Sequence, residues 1–99
     1  MVLDVSALTV SASAGAEAGI AAELGAAAAV ASAALLGVLP MGVDLDSVQF
    51  AEALNAAGAA YLGTAGEHLA NRGLFAGAQS LAAATYTGTD VVHNAALAL

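Results

Sequence analysis

The segment from Ser6 to Leu36 reads as one long helix that is apolar on every side, and this constrains the chain more than any other feature. Its residues are mostly Ala, Ser and Gly with scattered Leu, Val and Ile, and its only charges are Glu17 and Glu23. On a 3.6-residue period, Leu8, Ala12, Gly15, Gly19, Ala22, Ala26, Ala29, Ala33 and Leu36 fall on one stripe. Val10, Ile20, Leu24 and Leu35 fall roughly opposite. A helix that is apolar all round needs cover on two sides. A chain of 99 residues has room for only one other long helix, so the second cover is expected from another protein.

Composition sharpens that expectation. Alanine fills 30 positions, against two Phe and two Tyr. A buried Ala methyl contributes only about 0.8 kcal/mol, whereas ordering one residue costs about 1 to 2 kcal/mol of backbone entropy. Ala-rich helices form readily but stay marginal without tertiary packing. The free chain is therefore expected to be poorly folded or prone to aggregate.

Eight carboxylates against a single Arg72 leave a net charge of −7 and no Lys. Such a surface has no electrostatic footprint for phosphate backbones, which argues against nucleic acid and anionic lipid as partners. With no cysteine there is neither a disulfide nor a thiolate site. Residues 24–43 form an uncharged run long enough to span a membrane. Its Ala/Gly character and the absence of flanking cations give it weak drive for insertion. The first residues carry Asp4 and no positive charge, unlike a cleavable secretory signal.

The pattern predicts an all-α chain, a long antiparallel helical hairpin over residues 1–84. The first helix covers about 6–36 and the loop 37–43, punctuated by Gly37, Pro40 and Gly42. The second helix covers about 44–84, and residues 85–99 form a tail. Asp4 or Ser6 is expected to cap the first helix, and Asp44 or Asp46 the second. Glycines in the second helix admit a bend near Gly73. Leu54, Tyr61, His68, Phe75 and Ala82 recur every seven residues there, a coiled-coil period. Phe50, Leu62, Ala65 and Leu69 widen that face. Glu52, Asn55, Glu67 and Asn71 lie toward the far side and read as solvated.

Chemistry is sparse. His68 and His93 are 25 residues apart and share no short motif with acidic ligands. His68 reads as a core-edge residue near Arg72. Glu17 and Glu23 are six apart and do not share a helix face, which removes the obvious acid/base pair. No nucleophile elbow, phosphate-cradling loop or zinc spacing is present. An enzyme is not expected, and neither metal nor cofactor is implied. The remaining short motif is Tyr86-Thr87-Gly88-Thr89-Asp90, a Tyr with a carboxylate four residues on.

Taken together, these elements resemble the PE family of mycobacterial proteins. The likeness rests on several features in order: the Ala-rich first helix, the Val38-Leu39-Pro40 turn and Asp44-Leu45-Asp46-Ser47-Val48 opening the second helix. Phe50, Tyr61, His68 and Phe75 follow at helical spacing, and Tyr86 to Asp90 matches a Tyr-x-x-x-Asp/Glu signal. One departure is plain: Ala7-Leu8 stands where the Pro-Glu pair that names the family would fall.

The resemblance implies a heterodimer with a PPE-family protein, in which two helices from each chain complete a four-helix bundle. It implies export by a mycobacterial type VII (ESX) secretion system, with Tyr86 and Asp90 as part of the C-terminal signal. An EspG-type chaperone would hold the dimer through the PPE subunit, so the protein would be cytoplasmic while bound and secreted or at the cell surface afterwards. The short form is most similar to PE members encoded within secretion loci, in register to the one from the iron-linked system.

The partner interface is expected on Val10, Ile20, Leu24 and Leu35 of the first helix and on Phe50, Leu54, Tyr61, Leu62, Leu69 and Phe75 of the second. In that assignment the Gly/Ala stripe packs against the second helix; the reverse assignment stays open. The alternative function is a homo-oligomeric or membrane-associated helical protein whose Ala/Gly seams pack copies of itself.

Overall fold

The computed structural model describes residues 3–99 and contains two helices, α1 (Ala7–Leu36) and α2 (Leu45–Leu97). The fold is all-α, a helical hairpin, as the residue pattern predicts. Ser6 starts α1: its Oγ accepts the Thr9 N–H at 3.2 Å, a cap that satisfies one of the free amides of the first turn. Asp44 starts α2: its carboxylate accepts the Ser47 N–H at 3.0 Å and the Ser47 hydroxyl at 2.8 Å. The Ser47 hydroxyl, and then its N–H, hold the Asp44 carboxyl below the usual carboxylate value. A lowered value makes the cap's contribution complete above the ordinary carboxylate range. It fades as pH falls through the lowered value.

The helices pack in two units. The loop-side unit comprises Ala22–Ala70. Here α1 turns Gly25, Ala28, Ser32 and Leu35 inward, and α2 turns Val48, Ala51, Asn55, Gly58, Leu62, Ala65 and Leu69. Small residues bring the two backbones close together. A side-chain carbon built on buried Gly58 would collide with the Leu35 carbonyl oxygen. Only glycine fits there. Asn55 then ties the loop to α2, because its amide oxygen accepts the Val38 N–H at 2.8 Å and its amide nitrogen donates to the Val38 carbonyl at 3.0 Å. Asn55 is thus half-buried and structural, not solvated as its place in the sequence pattern indicated. An amide side chain offers one acceptor and two donors, and this geometry satisfies both loop backbone groups at once.

The second unit lies within Met1–Ala21 and Asn71–Leu99. Its buried side chains are Ala14, Ala76 and Ala83. Beside them, the Arg72 guanidinium donates to the Glu17 carboxylate at 2.6 Å, with both side chains about three-quarters or more buried (28% and 19% exposed). Gln79 donates to the Ser13 hydroxyl at 2.9 Å. The chain's single Arg therefore stands opposite one of the two carboxylates in α1 and fixes which face of that helix turns inward.

Two expectations are corrected by this packing. The Gly/Ala stripe does not pack on α2: Leu8, Ala12, Gly15, Gly19, Ala22, Ala26, Ala29, Ala33 and Leu36 are all exposed. Val10, Ala14, Glu17 and Ala21 face α2 instead, because Glu17 and Ser13 have polar partners on α2 and the stripe offers none. The inward-facing heptad of α2 runs through Val48, Asn55, Leu62, Leu69, Ala76 and Ala83, and the neighbouring ladder of Leu54, Tyr61, His68 and Phe75 is exposed beside it. Finally, α2 does not stop near Ala84 or break at Gly73 but continues to Leu97. No Pro interrupts it, alanines favour it, and Thr85 and Thr87 return their hydroxyls to the carbonyls of Leu81 and Ala83 at 2.9 and 3.0 Å.

The two kinds of glycine in α2 predict opposite responses to the same substitution. Gly58→Ala should destabilise the hairpin by about 1 to 3 kcal/mol through overpacking. Gly63, with open space around it, should tolerate Ala and gain about 0.5 to 1 kcal/mol. Thermal unfolding of both variants measures the difference, and equal shifts would contradict the close approach at Gly58.

Candidate partner-binding surface

Among the described residues, the buried hydrophobic side chains are Ala14, Ala51, Ala76 and Ala83, and no large side chain is fully buried. The accessible surface is 7198 Å². A folded monomer of this mass exposes about 5,000 Å² by the usual scaling, so the chain carries roughly 2,000 Å² in excess. Obligate protein interfaces bury about 1,000 to 2,500 Å² per partner. The surplus has the size of an interface.

The exposed side chains are large and apolar. On α1 these include Ile20 and Leu24, a little over two-fifths exposed, with Leu8 and Val30 more so. On α2, Phe50, Tyr61 and Phe75 are 60%, 62% and 54% exposed, and Leu54 41%. In the loop-side unit Leu54, Tyr61 and His68 occupy the heptad position flanking the internal seam, so they form a ridge along one edge of α2; Phe75 holds the same position in the other unit. Of the residues expected at a partner interface, these and Ile20 and Leu24 stand open. Val10, Leu35, Leu62 and Leu69 are half-buried against the other helix, which already takes most of their surface.

Within the loop-side unit the ridge borders two open apolar recesses. One, of about 500 Å³, lies between Leu24, Ala27, Ala28 and Ala31 of α1 and Tyr61, Thr64, Ala65, His68 and Leu69 of α2. The other, of about 340 Å³, lies at the loop and is lined by Val38, Leu39, Met41, Asp46, Ser47, Phe50, Ala51 and Leu54. Recesses between ridges of side chains are what a packing helix fills with its own knobs.

Tyr86 and Asp90 lie on continuous helix, one turn apart and hence on the same face. Tyr86 is 43% exposed and sits with Leu81, Ala82 and Thr85 in a shallow recess; Asp90 is exposed. The residue pattern leaves this segment open between frayed helix and disordered tail, and the structure makes it helix.

No group of three or more His, Cys, Asp or Glu side chains that could hold a metal occurs among the described residues. By length and composition, α1 is apolar enough to cross a membrane, with a mean hydropathy of 1.7 over its most apolar window. Its Glu17, however, is committed to Arg72.

Comparison with protein families matches residues 3–93 to the PE family. Neither a curated protein nor a solved structure matches the chain. A match across nearly the whole length, on a hairpin whose large residues face outward, shows that the chain belongs to the PE family.

Proposed function

We propose that this chain is a non-enzymatic subunit of a heterodimer with a PPE-family protein, exported by a mycobacterial type VII (ESX) secretion system. The observation that carries the proposal is the inverted burial: alanines are inside, while Phe, Tyr, Leu and Ile remain in water. A domain that leaves this much apolar surface uncovered is built to be covered by another chain. In the loop-side unit Leu24 of α1 and Phe50, Leu54 and Tyr61 of α2 form the partner face; in the other unit Ile20 and Phe75 are the exposed partner residues. Two helices of the partner laid on this face complete a four-helix bundle. The outer Gly/Ala stripe of α1 is a poorer candidate, since it offers few large side chains to bury.

An EspG-type chaperone acts through the PPE subunit, so the dimer is cytoplasmic while chaperoned and secreted or surface-exposed after export. Tyr86 and Asp90 serve as part of the export signal, presented together on one helical face. Self-association is disfavoured by charge, because two copies bring sixteen carboxylates and two arginines, twice the eight and one of each chain.

Coexpression tests the heterodimer. The chain should be soluble with a PPE partner and insoluble or unfolded without one, and Leu24→Asp should abolish co-purification. Retention of the Leu24→Asp complex would exclude this face. Export is tested separately: Tyr86→Ala or Asp90→Ala should leave the dimer intact and remove it from the culture medium. Undiminished secretion of either variant would remove the motif from the account.

A further inference from the structure

The loop joining the helices is held at both ends. Asn55 clamps Val38 through two hydrogen bonds, and Asp44 closes the start of α2 on Ser47. Between these pins the apolar side chains are left in water: Leu39 is 81% exposed, Met41 92% and Val43 106%. A loop fixed this way cannot collapse to hide them, and they contribute nothing to the hairpin's interior. Leu39 and Met41 line the recess of about 340 Å³ together with Val38, Phe50, Ala51 and Leu54, of which Ala51 is buried. That volume admits a leucine- or phenylalanine-sized side chain.

Charge identifies what else the occupant carries. Asp46 lines the recess, and Asp44 and Glu52 stand nearby in sequence. Residues 22–70 contain five carboxylates and neither Lys nor Arg. Capping and the helix dipole account for Asp44 and favour Asp46, but neither explains the exposed apolar side chains beside them. A second copy of this chain is a poor occupant, because it has no Lys and its one Arg is engaged by Glu17.

We infer that this loop-end recess receives a large apolar side chain of the partner flanked by Lys or Arg, and that charge here selects among partners. The inference rests on the heterodimer reading and adds the chemistry by which one partner is chosen. An apolar anchor supplies affinity, while cations beside it discriminate, since like charges meeting at this end are penalised.

The test measures the affinity of the chain for a co-purifying PPE partner at low and high salt. Asp46→Lys should weaken binding about tenfold or more and reduce the salt dependence, as loss of a favourable charge contact does. Asp46→Asn should have an intermediate effect, and Met41→Ser should weaken binding at both salt concentrations. Glu67→Lys, on the exposed far side of α2, should change affinity less than about twofold. Circular dichroism of each variant complex checks that α2 is retained. Equal effects of Asp46→Lys and Glu67→Lys, or affinity indifferent to salt and to both, would overturn the inference and leave the heterodimer standing. Failure of the unaltered chain to bind any PPE protein would instead overturn both.

Discussion

The close approach of two backbones across a seam of small side chains is the constraint on which the rest of this structure depends. Gly58 meets the Leu35 carbonyl with no room for a methyl group, and Ala14, Ala51, Ala76 and Ala83 are the buried apolar residues. A seam this thin saves space but releases little apolar surface from water. Ile20, Leu24, Phe50, Leu54, Tyr61 and Phe75, whose burial would have added to the hairpin's own stability, are left exposed. Partner binding on this account is not added to a finished domain; it supplies the burial that the domain lacks.

Such a seam also has little power to choose its own register, because one alanine resembles another. The polar contacts supply that choice. Glu17 with Arg72, Ser13 with Gln79, and Asn55 with the Val38 backbone each satisfy a specific pair and leave groups unmatched if the helices slip. They turn Val10, Ala14 and Ala21 inward and leave the Gly/Ala stripe of α1 outside. The chain's sole Arg is thus used for alignment, and the acidic excess is left for the surface.

Much of this was legible in the residues, and the failures share one cause. The two helices and the loop follow from apolar periodicity, Gly37, Pro40 and Asp44, and the structure has those elements. What periodicity does not show is which residues meet across the hairpin. The conspicuous ladder of Leu54, Tyr61, His68 and Phe75 marks an outer edge, and the true seam is a less visible heptad one place over, made of Val, Asn, Leu and Ala. Asn55 read as solvated for the same reason, since its partner is the Val38 backbone, 17 residues away across the loop and outside any local sequence window. The end of α2 was misjudged because glycines and threonines lower local helix propensity, while hydroxyl-to-carbonyl bonds of Thr85 and Thr87 remain compatible with helix.

The central claim is that this hairpin holds its structure only when its exposed flank is covered. Amide hydrogen exchange on the isolated chain and on the chain mixed with a PPE-family protein, the proposed partner, tests it most directly. The account predicts little protection along the α1–α2 seam in the isolated chain and strong protection of the same amides in the complex. Slow, cooperative exchange of the seam amides in the isolated, monomeric chain would contradict it.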